Sequence, residues 1–492
     1  MLLMFALSPF LVLGGGALLL MLAEVFSRRP SGLAIGTTIV FITSGAFSVA
    51  LWLYGIEFLP VGILSPWILV DKFTLFFNVL LCLGGALASL LAGGYLVEYK
   101  LNRGEFYSIL LFATFGGMML ASAGDFLTLF LGLETMSLGA YALTAFRRAS
   151  PRSAEGALKY FLLGSFAAAI MLYGIALVYG ATGSTDLARV GAAFSHGVVT
   201  SHPMALIGLV LIVIGLLFKV SAVPFHMWTP DAYEGAPTPA TAYMAVVVKS
   251  AAFAMMLRVL LTSFGDAESM SWSAGWPPAL AAIAVLTMTV ANLIAGRQDS
   301  VKRMLAYSSI AHAGYLLVGV VVALRSKEQA VAGVIFYLAT YTVSTIGAFG
   351  ALILLGSYGK EAVSYDDLAG VGKRHPTIAM AFSLFLFSLA GVPPTAGFFG
   401  KWFIFRAAMD SGFYWLTILA FINSVIGAYY YLRVLVFMYM REPQPGAAIA
   451  VPMQSRHVKA ALLLSAVFVL ALGLAPTCTL DAAIAAATTF RM

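Results

Sequence analysis

Long apolar runs separated by short polar segments extend along the whole chain. A helix that crosses the hydrocarbon core of a bilayer needs about 20 apolar residues. Read against charged residues and Pro/Gly positions, the runs predict fourteen membrane spans, which begin near residues 2, 32, 73, 106, 125, 158, 204, 238, 275, 300, 330, 377, 413 and 458. The run over residues 2–22 lacks a basic leading region and is interpreted as the first span, not as a signal peptide. The predicted fold class is therefore an all-α polytopic membrane protein.

Two of the apolar runs are too long for one straight helix. Residues 204–235 and 377–410 would each measure about 50 Å as a single helix, whereas the hydrocarbon core is about 30 Å thick. The first run contains Pro224 and the second contains Pro393 and Pro394. Because proline removes an internal hydrogen bond and clashes with the preceding turn, both runs are predicted to be discontinuous helices. Transporters use such breaks to place polar groups at mid-membrane depth.

The two predicted breaks also suggest an internal repeat. They fall on the seventh and twelfth spans, five spans apart, and five is odd. The second unit would therefore enter the membrane from the opposite side, which predicts two inverted five-helix repeats. The expected organisation is three N-terminal spans in 1–105, the first repeat in 106–270, the second in 275–440, and a last span in 441–492.

The distribution of charge supports a membrane location and predicts an orientation. Only 10% of the residues are charged, whereas soluble domains have about 25%. Of the 28 Lys and Arg residues, sixteen fall in one set of alternate loops and six in the other set and the ends. By the positive-inside rule, both termini are expected on the outer side, periplasmic in a bacterial inner membrane or on the equivalent side of an organellar or thylakoid membrane. No basic run carries interleaved aromatic residues, so no nucleic-acid partner is expected.

Cofactor chemistry is not expected in this chain. Its two cysteines, Cys82 and Cys478, are too few for an iron–sulfur cluster or a disulfide framework. No Gly-rich phosphate loop follows a strand pattern. If the chain belongs to a redox enzyme, electrons are expected to travel through other subunits.

Six cationic residues remain inside the predicted spans. A charge at mid-bilayer costs about 2.5–3.5 kcal/mol on insertion scales, so each needs a partner or a water-filled cavity. Arg258 and Arg433 lie near helix ends and are expected to reach the headgroups, and Lys159 is one turn into its helix. The other three, Lys219, Lys249 and Lys401, are not explained in this way.

Glu134 is the one acid that lies clearly near the centre of a predicted span. A hydrogen bond that only fixes helix packing is the alternative role for such a residue. Burial lowers the proton affinity of a lysine side chain and a nearby carboxylate raises it. At an effective dielectric constant of about 20, an ion pair at 4 Å is worth about 4 kcal/mol. Separation of Glu134 from a neighbouring buried lysine is therefore predicted to release the proton of that lysine.

Two histidines are candidates for the same path. His226 follows Lys219 by seven residues, which would place it two turns along the same side of a helix. His312 lies in the tenth span next to the hydroxyls of Ser308 and Ser309, which favour a hydrated lining. Ordinary core packing remains an alternative for His312.

Three motifs resemble those of the antiporter-like membrane subunits of respiratory complex I, the proton-pumping NADH–quinone oxidoreductase. The run Lys219-Val-Ser-Ala-Val-Pro-Phe-His226 is similar to the signature of their seventh helix. The run Gly391-Val-Pro-Pro-Thr-Ala-Gly-Phe-Phe-Gly-Lys401 is similar to that of their twelfth helix, and Leu-Glu-Thr-Met at 133–136 matches the acid of their fifth. The resemblance covers nearly the whole chain and is strongest over 125–430.

The resemblance implies a function and residue roles. It implies proton translocation coupled to quinone reduction in other subunits, with membrane subunits of the complex as partners. It also implies that Glu134 and Lys219 form a regulating pair, that Lys249 is the central relay, and that Lys401 faces the outer exit. Lys159 matches a further family lysine in the sixth helix.

The lysine at 401 helps to separate branches of this family. One complex I branch and the multisubunit cation/proton antiporters usually carry glutamate there. A second complex I branch has lysine but extends into a long lateral helix, whereas this chain ends soon after its fourteenth predicted span. The resemblance therefore favours the third complex I branch.

Three other functions are weighed against this one. A multisubunit Na⁺/H⁺ antiporter subunit would show sodium-dependent transport in vesicles, and Lys401 argues against it. A membrane anchor without transport would have no use for three buried lysines. A free-standing solute symporter is disfavoured because no substrate-sized polar cluster appears.

Overall fold

A computed structural model describes residues 2–26, 31–55, 61–197, 203–273, 275–323, 325–356, 359–443 and 452–488. Over these residues the chain is built of helices and loops, and extended pairing is limited to three isolated bridges. The predicted all-α class is confirmed.

The described helices follow the predicted spans closely. They are α1 (Ser8–Phe26), α2 (Ser31–Tyr54), α3 (Lys72–Glu98), α4 (Glu105–Ser122), α5 (Phe126–Thr144), α6 (Pro151–Thr182), α7a (Pro203–Val220), α7b (Trp228–Gly235), α8 (Thr238–Thr262), α9 (Trp276–Ala295), α10 (Val301–Val322), α11 (Lys327–Leu355), α12a (Pro376–Ala390), α12b (Ala396–Asp410), α13 (Tyr414–Met440), α14 (Arg456–Leu474) and α15 (Thr477–Thr488). Within the described ranges, thirteen helices are long and apolar enough to cross a membrane. The remaining predicted span is the twelfth, which is divided into two shorter halves. The sequence did not predict α15.

Both predicted breaks are present. Residues 221–227 separate α7a from α7b and contain Pro224. Residues 391–395 separate α12a from α12b and contain Pro393. The prediction of two discontinuous helices is confirmed.

Polar residues fix where several spans begin. A helix leaves its first backbone N–H groups without partners, and a short oxygen-bearing side chain can accept hydrogen bonds from them. Asp71 accepts from Thr74 N before α3, and Asp125 accepts from Leu127 N before α5, both at 2.7 Å. The same role is filled by Ser150 before α6, Ser300 before α10 and Ser455 before α14.

The centre of the bundle is formed by α8, α10 and α11. The most apolar stretches of these helices are 94–100% buried, whereas those of α1, α6, α13 and α14 are only about one-third buried. Helix α8 packs against α3, α4 and α11, and α10 packs against α7b, α9 and α12b. Side chains in the apolar stretches of the central three helices are therefore surrounded by protein.

Glycines permit two close helix crossings. A Cβ at Gly116 would lie 2.8 Å from the carbonyl oxygen of Gly132, and a Cβ at Gly132 would lie 2.9 Å from that of Gly116. Gly174 on α6 and Gly208 on α7a face each other in the same way, at 2.8 Å in both directions. Small residues let membrane helices approach closely, so these pairs fix α4 against α5 and α6 against α7a.

A buried ion pair joins α8 to the start of α3. Arg258 is 1% exposed, and its guanidinium donates to Asp71 Oδ2 at 3.0 Å and Oδ1 at 3.1 Å. It also donates to Thr74 Oγ1 and to the backbone oxygen of Ala121, both at 3.0 Å. The expectation that Arg258 reaches the headgroups is wrong, because a carboxylate inside the bundle neutralises it.

Arg258→Leu is expected to lower the stability of the protein without a specific effect on transport. Removal of one partner from a buried ion pair costs about 3–5 kcal/mol, since the remaining charge is left unpaired. The yield of assembled complex and its thermal unfolding midpoint would measure the loss. The double variant Arg258→Leu/Asp71→Asn should recover much of it, because asparagine can still cap α3 but carries no charge. A single variant with wild-type yield and midpoint would contradict the structural role.

Candidate functional site

Lys219 lies in the last turn of α7a and is 5% exposed. Its Nζ donates a hydrogen bond to Ser137 Oγ on α5 at 2.6 Å. The rings of Tyr141 and Tyr160 each lie 5.7 Å from the same atom. One hydroxyl and two aromatic faces therefore surround the ammonium group, which aromatic rings attract through their quadrupole.

Glu134 lies on α5, one turn before Ser137. Glu134 and Lys219 both line a cavity of about 10 Å³, which is close to the space that one water molecule needs. The Glu134 Oε1 atom is buried and has no hydrogen-bond partner among the described residues. Glu134 interacts electrostatically with Lys219 but does not form an ion pair with it within 4 Å. The two groups thus face each other across a gap.

Lys249 lies in α8, directly after an unusual turn. Residues Met244–Val248 form a π-helical turn, a feature often found at functional sites. Lys249 is 2% exposed, and its Nζ donates to both the backbone oxygen and the hydroxyl of Ser309 on α10. The Tyr341 ring of α11 lies 5.8 Å from Nζ. Lys249 thus directly follows the π turn and contacts α10 and α11.

His312 lies on α10 between two tyrosines from other helices. Its Nδ1 is 2.6 Å from Tyr337 Oη on α11, and its Nε2 is 3.0 Å from Tyr431 Oη on α13. Tyr431 also shares a hydrogen bond with the hydroxyl of Ser308. A neutral imidazole has one donor and one acceptor nitrogen, and a phenol can serve either. The histidine can therefore exchange donor and acceptor roles without moving.

Lys401 bridges the break in the twelfth span. It lies on α12b and is 7% exposed, and its Nζ donates to the backbone oxygen of Ala390, the last residue of α12a, at 2.8 Å. It also donates to Ser424 Oγ on α13 at 2.8 Å, and the Tyr315 ring lies 5.1 Å away. A Cβ at Gly391, where φ is +86°, would lie 3.0 Å from Lys401 Cδ, so glycine leaves room for the lysine. The side chain thus satisfies a carbonyl that the helix end leaves free.

Helix α10 brings the central groups together. Over two turns it carries Ser309, which contacts Lys249, then His312, and then Tyr315, which faces Lys401. The rings of His312 and Tyr315 are 5.9 Å apart. A second cavity of about 10 Å³ lies between His312 and the break in the twelfth span. Lys249, His312 and Lys401 form one cluster, while Glu134 and Lys219 form a separate pair on α5 and α7a.

His226 does not lie where the helical spacing predicts. Helix α7a ends at Val220, so the seven residues after Lys219 do not make two helical turns. His226 is partly buried in the segment 221–227, and its buried Nδ1 has no hydrogen-bond partner among the described residues. The expectation that it follows Lys219 along one helical side is wrong, because the helix stops first.

Lys159 lies in an ion-pair network away from the cluster. Helix α6 begins at Pro151, so Lys159 is two turns into the helix, not one. Its Nζ is 2.6 Å from Glu155 Oε1 and 2.7 Å from Asp231 Oδ2, and its side chain is 43% exposed. Asp231 also binds Arg303 at 2.8 Å.

Several partners in the site are not evident from the sequence. They are hydroxyl groups from helices that are distant along the chain, namely those of Ser137, Tyr337, Ser424 and Tyr431. Serine and tyrosine are common in apolar helices, so their presence alone gives no signal. They are recognised as partners only in the structure, where each lies on a helix next to a buried lysine or histidine.

Comparison with known proteins supports the resemblance found in the motifs. The family described as NADH:quinone oxidoreductase/Mrp antiporter, TM, matches residues 123–427. NADH-quinone oxidoreductase subunit N 1 of Sorangium cellulosum is 63% identical over 98% of each chain. Subunit N of Trichlorobacter lovleyi is 45% identical over 87% of this chain and 85% of its own.

Solved structures agree with these sequence matches. A chain of respiratory complex I from Thermus thermophilus, solved with bound aureothin, is 34% identical and has a TM-score of 0.78 over 96% of this chain and 98% of that one. A chain of the Mrp complex from a Dietzia species has a TM-score of 0.83 over 99% and 97%. Because its identity is 22%, it shows the common fold alone.

The chain belongs to the NADH:quinone oxidoreductase/Mrp antiporter family of multi-pass membrane subunits. This class is defined by the all-helical fold with two broken spans and by the match over 123–427. Within the family it is a member of the subunit N group of NADH-quinone oxidoreductase, respiratory complex I.

Proposed function

We propose that this chain translocates protons through the buried groups Glu134, Lys219, Lys249, His312 and Lys401. Quinone reduction in other subunits of the complex would drive the transfer, and no cofactor is assigned to this chain. The Lys and Arg distribution supports both termini on the outer side, which is the periplasmic side in a bacterial inner membrane. His226 and Lys159 lie outside both the Glu134–Lys219 pair and the central cluster, and they are proposed only as peripheral members of the path.

A contrast among the buried cations carries this proposal. Arg258 pairs with Asp71, and the fully buried Lys302 pairs with Glu361 at 3.2 Å. Within the described part of the chain, Lys219, Lys249 and Lys401 have no carboxylate within 4 Å. Their partners are the hydroxyls and carbonyls described above. Two kinds of buried cation are thus present in one protein.

Glu361, the partner of Lys302, is a carboxylate that its surroundings keep charged. Burial by itself would raise its pKa, but Lys302, Arg147 and hydrogen bonds from Tyr95 and Thr238 hold that pKa below its ordinary value. A carboxylate held charged in this way favours the charged form of the cation beside it. The pair therefore has a structural role and does not suit a relay.

A hydroxyl partner suits a lysine that gains and loses a proton. Serine oxygen accepts a hydrogen bond from an ammonium group, and the same hydroxyl can donate to a neutral amine. Either protonation state of Lys219 or Lys249 therefore keeps a partner, through Ser137 or Ser309. Desolvation would otherwise strongly disfavour the charged form. The surroundings of Lys219 and Lys249 therefore suit a side chain that gains and loses a proton.

Glu134 is proposed to act on Lys219 through its charge. Both line a cavity with room for about one water molecule, and a small movement of α5 against α7a changes their separation. Because the interaction energy varies with distance, this movement changes how strongly Lys219 holds its proton. A proton released there would pass to the cluster of Lys249, His312 and Lys401.

Lys249→Met tests the proposal in the complete complex. Proton pumping and quinone reduction would be measured together in vesicles. Flux through this chain should fall by about 10²-fold or more, the effect typical of removing a positioned acid–base group. Assembly should be retained, because methionine fills the space and Ser309 can bond within its own helix.

Lys302→Met provides the contrasting control. It leaves Glu361 without its closest cation, so assembly should fall. The complex that does assemble should pump at the normal proton-to-electron ratio. Normal pumping by Lys249→Met would refute the relay.

A further inference from the structure

Asn292 is the centre of a buried hydrogen-bond cluster on α9. It is 1% exposed, and its Nδ2 donates to Tyr315 Oη at 3.1 Å and to the backbone oxygen of Asn423 at 3.0 Å. Its Oδ1 accepts a hydrogen bond from Tyr430 Oη at 3.0 Å. Both amide hydrogens and the amide oxygen are therefore engaged. The transfer steps proposed above use none of these contacts.

The first partner of Asn292 connects it to two members of the proposed path. Tyr315 places its ring 5.1 Å from Lys401 Nζ and 5.9 Å from the ring of His312. The hydrogen bond from Asn292 fixes the hydroxyl of that ring. The orientation of the aromatic face beneath Lys401 therefore depends on the amide.

The other two partners of Asn292, Asn423 and Tyr430, connect it to Lys401 and to His312. Asn423 directly precedes Ser424, the hydroxyl acceptor of Lys401. Tyr430 packs its ring 4.4 Å from that of Tyr431, which bonds His312 Nε2. Asn292 thus contacts the supports of the lysine and of the histidine simultaneously.

We propose that Asn292 is a positioning residue for proton transfer between His312 and Lys401. This inference rests on the proposed function and extends it to a residue on α9 that never touches the proton. Asn292 holds α10 and α13 at a fixed distance through Tyr315, Tyr430 and Asn423. Loss of the amide removes the acceptor of the Tyr430 hydroxyl and the link between α9 and the Asn423 carbonyl, and the supports of the two titrating groups then shift.

Asn292→Leu in the complete complex tests the inference, because leucine keeps the branching of the side chain and removes every hydrogen bond. Proton flux through this chain is expected to fall by about tenfold, since a misplacement of 1 Å can cost about 10²-fold. Assembly should be retained. Asn292→Asp, which keeps an acceptor for Tyr430, should recover part of the flux. Asn78→Leu is the matched control, because Asn78 is also buried but its side chain has no hydrogen-bond partner among the described residues.

A double-mutant cycle separates positioning from a general loss of structure. If Asn292 acts through the Tyr315 hydroxyl, Asn292→Leu should have a smaller effect in a Tyr315→Phe background than in the wild type. Equal effects in both backgrounds would overturn the inference. If Asn292→Leu fails to assemble, Tyr315→Phe alone tests the contact, and a normal proton-to-electron ratio would overturn it.

Lys401→Ala distinguishes the inference from the function on which it rests. Normal pumping by Lys401→Ala would refute the proposed path itself. Loss of pumping by Lys401→Ala together with normal pumping by Asn292→Leu would refute only the positioning role. Loss in both, with the nonadditive cycle, supports the assignment.

Discussion

Lys219→Ala is expected to stop proton translocation through this chain while the complex remains assembled. The ammonium group has Ser137 and two tyrosine rings as partners and forms no direct ion pair among the described residues, so its removal breaks no salt bridge there. Flux through the chain should fall by about 10²-fold or more, as for other positioned acid–base groups. Proton uptake and quinone reduction measured together in vesicles give the ratio that reports this loss.

Lys219→Arg separates charge from proton exchange. Arginine keeps the positive charge but stays protonated in proteins, so it cannot release a proton during the cycle. The arginine variant is therefore expected to pump as poorly as the alanine variant. Lys459→Arg is the matched control, since Lys459 is exposed and bonds only Gln454 among the contacts described for its side chain. Normal pumping by Lys219→Arg would show that the residue contributes only charge.

Glu134→Gln is expected to reduce pumping strongly, although the glutamine keeps the shape of the side chain. It removes the charge that faces Lys219 across the small cavity. The charge interaction is weaker than the roughly 4 kcal/mol of a contact pair at 4 Å, but even 1.4 kcal/mol changes proton occupancy tenfold. The proton-to-electron ratio should fall, and Glu134→Asp should retain part of the activity.

The position of a restored acid gives a sharper test of the same charge. Leu133 lines the cavity with Glu134, whereas the side chain of Leu138 is 57% exposed on the outside of α5. Glu134→Gln/Leu133→Glu should therefore regain part of the pumping, and Glu134→Gln/Leu138→Glu should not. Equal recovery by both would mean that the location of the charge is unimportant. Full pumping by Glu134→Gln alone would show that the charge is dispensable.

The spans and breaks could be predicted because they depend on local sequence. Apolar run length and loop charge mark each span, and most predicted starts lie within a few residues of the observed ones. The breaks follow from excess length and proline. The sixth span is an exception: it begins at Pro151 because Ser150 caps a polar first turn that hydropathy alone assigns to the loop.

The site could be predicted only as a set of unusual residues. The cost of a buried charge identified Lys219, Lys249 and Lys401, and the structure places each inside the bundle. Their partners depend on which helices pack together, and spacing along one helix does not contain that information. The path of the chain after Val220 likewise decides where His226 lies. The π turn that directly precedes Lys249 was not predicted either.

Lys401 has a structural role in addition to the proton transfer proposed for it. The same ammonium group that would carry the proton also joins the carbonyl end of α12a to α13. A movement that separates the two half-helices must therefore change the affinity of Lys401 for its proton. Thermodynamic linkage requires the converse with equal free energy, so loading or unloading that proton changes how firmly the half-helices are held together. A neighbouring subunit that moved one half-helix would therefore change the protonation of Lys401. Release of the proton would in turn change how that subunit is held against the half-helices.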